Sequence, residues 1–178
     1  MATAVYAHIP YCISKCPYCD FASVPADDSL EAYLEALHEE IQARCSSVPR
    51  AATIYIGGGT PTVLSSNQLR RLVAWFHSYF DISPEAEITI EANPCSLSPA
   101  KAATLVSAGV NRVSLGAQSF LDSELEVLGR AHRSDAIYSA VSTLRAAGIN
   151  NLNLDLIFGI PGQTAESWEY SLREAISL

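Results

Sequence analysis

"ATIYIGGGTPTVLSSNQLRRLVAWFHSYF", residues 52–80, holds one complete βα unit. ATIYI (52–56) is a short β-rich run and predicts a strand. Three glycines and a proline break it, and a segment with apolar residues at helical spacing follows. Ser65 with Gln68 three positions on is the signature of a capping box, so a helix is expected over 65–80. Trp75, Phe76, Tyr79 and Phe80 give that helix an apolar face, which reads as core packing.

The same unit recurs on both sides. Strands are expected at 4–9, 87–91, 112–116 and 151–158. A helix over 29–45 would take Asp28 as its N-cap, with Glu31 closing a capping box. A helix over 98–108 opens with Ser98 and Pro99 and stops at Gly109. A short helix over 122–128 and a longer one over 134–147, ended by Gly148, precede a last helix capped by Thr164. Five units in strict alternation predict an α/β fold with a parallel sheet, either an open doubly wound sheet or the arc of a (β/α) barrel. A closed eight-unit barrel takes about 250 residues. Residues 1–178 are therefore expected to be the N-terminal portion of a longer barrel. No repeat beyond the βα period, low-complexity segment or linker interrupts them.

The formal charge is −8, and no dense Lys/Arg run occurs. That argues against a nucleic-acid partner or an anionic membrane surface. No apolar run approaches the roughly 18 residues of a membrane span. The opening MATAVYAHIPYC has no basic stretch, so no signal peptide is expected and the default setting is the reducing cytoplasm. Clustered cysteines there are metal ligands or redox groups more often than disulfides.

Such a cluster is present. "HIPYCISKCPYCDF", residues 8–21, carries Cys12, Cys16 and Cys19, whereas Cys45 and Cys95 stand alone as small apolar residues. At the residue level three readings are open. One is three unrelated thiols in a turn. Another is a structural zinc site with His8 as fourth ligand. The last is an iron–sulfur cluster, which normally takes four cysteines, here left with one iron free for a ligand. "GGGTP" (57–61) follows a strand, and reads either as a tight βα turn or as side-chain-free residues that let the backbone approach a ligand closely. Glu91, Gln118, Arg130 and Asp155 recur at or just beyond other strand ends. Individually they could be an exposed strand end, a solvated charge or, for Asp155, half of an ion pair with an arginine; together they outline a ligand-binding face. His8, His38, His77 and His132 read as structural or surface residues.

C-x3-C-x2-C with Tyr18 before the last cysteine resembles the radical S-adenosylmethionine (SAM) superfamily. The runs YAHIPYCISKCPYCDF, IGGGTPT, IEANP, GVNRVSLGAQSF, LGRAH and NLDLIFGIPGQT are similar to one branch of it. That branch contains the oxygen-independent coproporphyrinogen III oxidases and the related haem chaperones. The resemblance implies a partial (β/α) barrel in which Cys12, Cys16 and Cys19 ligate a [4Fe–4S] cluster. SAM would chelate the open iron, and one electron from a donor would cleave its sulfonium to give a radical that takes hydrogen from substrate. The resemblance further implies that Tyr6 and Tyr18 line the SAM pocket, Tyr18 beside the adenine. Gly58, Gly59 and Thr60 would lie along the methionyl part, and Glu91, Gln118, Arg130 and Asp155 would bind SAM's polar groups. The oxidases have a longer segment before the cluster loop and a further cysteine at the position of Phe21; both departures favour the haem chaperones. The implied partners are haem or a porphyrinogen and a haem-receiving protein, with the haem site beyond these 178 residues. A porphyrinogen dehydrogenase and a zinc-stabilised interaction domain are the competing functions.

Overall fold

The computed structural model describes residues 3–48 and 50–178. Among them, strands β1 (Thr3–Ile9), β4 (Ala51–Gly58), β5 (Ile82–Ala92), β6 (Arg112–Gln118) and β7 (Asn151–Leu156) form one sheet. Helices α1 (Leu30–Arg44), α2 (Ser66–Tyr79), α3 (Pro99–Ser107), α4 (Asp122–Val127), α5 (Ser134–Ala147) and α6 (Ala165–Ser177) fill the connections. Every neighbouring pair is parallel, and the spatial order β1-β4-β5-β6-β7 repeats the chain order. A doubly wound sheet reverses its order at a switch point. This one does not, which selects the barrel arc from the two expected architectures. Two short strands missed by the sequence reading, β2 (Tyr11–Cys12) and β3 (Val24–Pro25), pair with each other and bracket the cysteine loop.

The sheet's two faces differ in kind. Ala7, Ile56, Ile90 and Val113 form one register row, almost fully buried under Leu34, Leu72, Phe76, Leu105 and Leu144 of the helices. The alternate residues Tyr55, Thr89, Glu91, Ser114, Asn153 and Asp155 are polar and turn to the other face, because side chains alternate along a strand. Burying large aliphatic side chains contributes about 1.5–3 kcal/mol each, so the helix-covered face carries the stability. That leaves the opposite face free to be polar.

The caps at Ser65, Ser98 and Thr164 form as expected, and Gly148 closes α5 in the left-handed conformation. The expected box on α1 does not form. Its N-cap is Ser29, not Asp28, and no side-chain cap bond is made. Asp27 takes the local role, accepting from the Ser29 amide at 2.9 Å. Glu31 is drawn away to α2, where it accepts from Gln68 at 3.0 Å and pairs with Arg71. No helix among the described residues is long and apolar enough to cross a membrane.

Candidate functional site

The strand ends and the cysteine loop surround a cavity of about 420 Å³, a size that suits a small-molecule ligand. Cys12, Cys16 and Cys19 line it with Tyr18, Gly58, Gly59 and Thr60, and Glu91, Gln118, Arg130 and Asp155 complete the wall. Tyr6 is the sequence-predicted residue that does not line it. Its ring stacks on Tyr55, centroids 6.1 Å apart, and Tyr55 is the one that reaches the cavity.

The two ends of the cysteine loop are tied to each other across the β2–β3 ladder. The Val24 amide donates to the Pro10 carbonyl and the Ala26 amide to the Cys12 carbonyl, each at 2.8 Å. Lys15 reaches the carbonyls of Phe21 and Ser23 at 3.3 Å. His8 Nε2 donates to the Ala22 carbonyl at 2.8 Å, so Nδ1 is free to accept from the Tyr6 hydroxyl at 2.9 Å. With both ring nitrogens engaged, His8 is a strut for the loop rather than a metal ligand.

The glycine turn is fitted against that loop. Gly58 sits at φ +120, and a Cβ there would lie 2.8 Å from the His8 ring. A Cβ on Gly59 would lie 2.7 Å from the Tyr11 carbonyl oxygen and 2.9 Å from Cys12 Sγ. The backbone whose close approach the glycines allow is thus that of Tyr11 and Cys12. The Gly59 and Thr60 amides donate to the Ile9 and Tyr11 carbonyls at 2.8 and 2.7 Å. The Gly58 amide donates to Glu91 Oε2 at 3.0 Å, while Glu91 Oε1 accepts from the Tyr55 hydroxyl at 2.7 Å. Burial first, and then the hydrogen bond to the Glu91 carboxylate and its charge, hold the Tyr55 phenol well above its ordinary pKa, so it remains a donor.

Arg130 crosses the cavity. Its Nη1 lies 3.5 Å from Cys16 Sγ and 3.3 Å from the Tyr18 hydroxyl, and Nη2 donates to the Gly116 carbonyl at 3.1 Å. Its Nε is buried and has no hydrogen-bond partner among the described residues. Burial raises the Tyr18 phenol; Arg130 opposes this and the Cys16 and Cys19 thiols add to it. Next to Arg130, His132 is 3% exposed and contacts the Ala117 carbonyl through Nε2 at 3.1 Å. Burial first, and the Arg130 charge second, lower its pKa to about 4. Gln118 takes φ 69 at an irregularity in the β6–β7 register, a conformation rare outside glycine. Among the described residues Asp155 has no arginine partner; Ser114 donates to it at 3.0 Å and Asn153 at 2.6 Å.

Tyr55, Ser114 and Asn153 were not marked by sequence reasoning as site residues. The signal available was their place in the polar alternation of TIYIG, VSLG and NLNLD.

Among the described residues, no three Cys, His, Asp or Glu side chains are grouped to hold a single metal ion. A four-iron cluster would be held by cysteine thiolates. The donor set suits it: three free thiols on one cavity, with the guanidinium of Arg130 on the same wall suited to a ligand carboxylate and the acceptors of Glu91 and Asp155 to ammonium or hydroxyl groups.

A model of the radical SAM superfamily matches residues 6–175. The heme chaperone HemW of Lactococcus lactis subsp. lactis (strain IL1403) is 41% identical over 176 residues, 98% of this chain and 46% of its own length. HemW of Escherichia coli (strain K12) is 38% identical over 184 residues, covering 98% of this chain and 47% of its own. Among solved structures, the coproporphyrinogen III oxidase HemN from Escherichia coli, a radical SAM enzyme, superposes with a TM-score of 0.89 at 31% identity. That match covers 98% of this chain and 41% of HemN. The chain spans about half the length of the curated relatives it matches.

Proposed function

Since the chain belongs to the radical SAM superfamily, we propose that it binds a [4Fe–4S] cluster through Cys12, Cys16 and Cys19, binds SAM beside it, and serves a protein of the haem-chaperone type. The observation that carries this reading is the convergence of the three thiols, the glycine turn and the Arg130 side chain on one cavity. When bound, cluster and SAM supply one-electron cleavage of the sulfonium. The chain's own residues hold and shield the ligand. Arg130 is suited to a carboxylate, since a guanidinium presents paired donors. Glu91, Gln118 and Asp155 accept from ammonium or hydroxyl groups, with Asp155 already oriented by Ser114 and Asn153. Gly58, Gly59 and Thr60 flank the methionyl part. Tyr18 stands beside the adenine, and Tyr6 supports the pocket from behind Tyr55.

The setting is a reducing cytoplasm, where a one-electron donor and a haem-receiving protein are the partners. Residues 1–178 act as the N-terminal portion of the radical SAM core, and haem binds outside them. The close superposition on HemN favours a second reading, a coproporphyrinogen III dehydrogenase. Phe21, 67% exposed in the position of that branch's extra cysteine, weighs against it.

Anaerobic reconstitution with iron and sulfide tests the cofactors. Broad visible absorption and an EPR signal that shifts on adding SAM are expected; one tetrahedral zinc and indifference to SAM would overturn the reading. Haem titration of the full-length protein, run beside a coproporphyrinogen assay, tests the branch. Haem uptake without turnover is expected, and conversion to protoporphyrinogen would select the dehydrogenase.

A further inference from the structure

We infer that Thr60, expected from the glycine-turn motif to contact a bound ligand, is a positioning residue for the metal centre: its hydroxyl donates to Cys12 Sγ and sets the cluster's reduction potential. This rests on the cluster reading above. Thr60 Oγ1 lies 3.6 Å from Cys12 Sγ, within reach of an O–H···S hydrogen bond. Among the described residues it is the one hydrogen bond this hydroxyl makes. The geometry is fixed from both sides. The Thr60 amide donates to the Tyr11 carbonyl at 2.7 Å, the residue before Cys12, and Gly59 packs so closely that a Cβ would touch the sulfur.

Burial makes this donor matter more than its counterparts. Thr60 and Cys12 are each only 9% exposed, whereas Cys16 and Cys19 are partly open to solvent. Water can hydrogen-bond the outer thiolates, but at Cys12 it has little room to replace a lost hydroxyl. Arg130 also reaches a ligand sulfur, Cys16, but with a guanidinium suited to a bound carboxylate. The Thr60 contact makes no such demand on the ligand.

The effect has a definite sign. One-electron reduction adds negative charge to the cluster and its thiolates. A donor aimed at a ligating sulfur stabilises the reduced form more than the oxidised form, and more strongly in a buried, low-dielectric position. Removing the donor therefore makes the cluster harder to reduce. Only the difference in the bond's strength between the two states moves the equilibrium, so the reduced-to-oxidised ratio at a fixed poise should change by at most about fivefold, the worth of one whole hydrogen bond.

The test compares Thr60→Val, which removes the hydroxyl at nearly constant shape, with Thr60→Ser, which keeps it. Both are reconstituted anaerobically beside the parent chain and titrated redox-wise by EPR before SAM is added, so that no SAM contact contributes. The valine variant should shift to a more negative potential at unchanged iron content, and the serine variant should return to the parent value. Thr60→Ala replaces the valine variant if valine lowers cluster yield. A second readout compares chains: the iron–sulfur stretching bands of the parent should shift further on exchange into D2O than those of the hydroxyl-free variant, since the Arg130 hydrogens on Cys16 exchange in both. Equal potentials for the hydroxyl-free and parent chains, or equal exchange shifts in the two, overturn this role alone. A parent chain that takes up no cluster overturns it together with the reading beneath it.

Discussion

Arg130 joins the two halves of the site, since one guanidinium touches the cysteine loop at Cys16 and Tyr18 and the sheet at Gly116. The same side chain lines the cavity, where a guanidinium's paired donors suit a ligand carboxylate. Arg130→Ala should leave iron content unchanged and weaken SAM binding roughly 10- to 100-fold, the worth of a charged hydrogen bond of about 1.5–3 kcal/mol. Arg130→Lys should recover only part of it, because an ammonium lacks the fork that meets a carboxylate. Equilibrium dialysis of SAM against the reconstituted chain checks both; unaltered affinity in the alanine variant would remove Arg130 from the binding set. The cysteines, Glu91, Gln118 and Asp155 were legible one residue at a time, because each is a chemically distinctive group near a strand end. Tyr55 was not. Its meaning comes from Glu91, 36 positions away, and only the β4–β5 register brings the two together. Tyr6 fails the other way: it belongs to a matching motif, yet its neighbour in the register, Tyr55, takes the place at the cavity wall.

At the scale of elements, the strands and helices were legible because their signals are local: apolar alternation, capping boxes, glycine stops. The exception, α1, is instructive. Asp28 and Glu31 have the right spacing for a box, but Arg71 on α2 offers Glu31 a charged partner that the box cannot match. The β2–β3 ladder escaped notice because two-residue strands carry no periodicity. The glycine turn was read as a place where a ligand comes close, whereas the close contact on Gly58 and Gly59 is with His8, Tyr11 and Cys12 of the chain itself. That supports a prediction for Gly59. Its constraint is space, since a Cβ would meet a backbone carbonyl and Cys12 Sγ below 3 Å, and neither is the loose end of a flexible side chain. Gly59→Ala should therefore push Tyr11 and Cys12 off the sheet and lower cluster occupancy about tenfold, the scale of losses when a metal site's supporting contacts are removed. Helix content by far-UV circular dichroism should stay near that of the parent, because the core face beneath β4 is untouched. Full occupancy in Gly59→Ala would show that the turn does not seat the loop.

For the whole molecule, two buried polar groups tie the later half of the arc together and make its stability depend on acid. His132 holds the segment between α4 and α5 to the end of β6 through the Ala117 carbonyl. Glu124 of α4 accepts from Ser119 at 2.6 Å, from Gln163 at 3.0 Å and from Ser167 of α6 at 2.6 Å. Their titrations act in adjoining windows. An unfolded histidine takes its proton near pH 6.5, whereas folded His132 refuses it until about 4. Between those values the unfolded chain binds more protons, so stability is full above about pH 6.5 and falls toward about 4, by at most about 1.4 kcal/mol per pH unit for this one group. Burial pushes the Glu124 carboxyl up, but its three donors together outweigh that and hold it below the ordinary value. Its contribution is therefore present above the unfolded carboxyl pKa, about 4.3, and lost as the pH drops further. Urea midpoints of the cluster-free chain across pH 3.5–8 should show both losses. His132→Gln keeps a donor for Ala117 without a titrating ring, and should flatten the curve above about pH 4.5 while leaving the steeper acid limb. Glu124→Gln should do the converse, lowering stability at neutral pH and softening the acid limb. A His132→Gln curve as steep as the parent's between pH 6.5 and 4.5 would mean that the acid response comes from elsewhere in the fold.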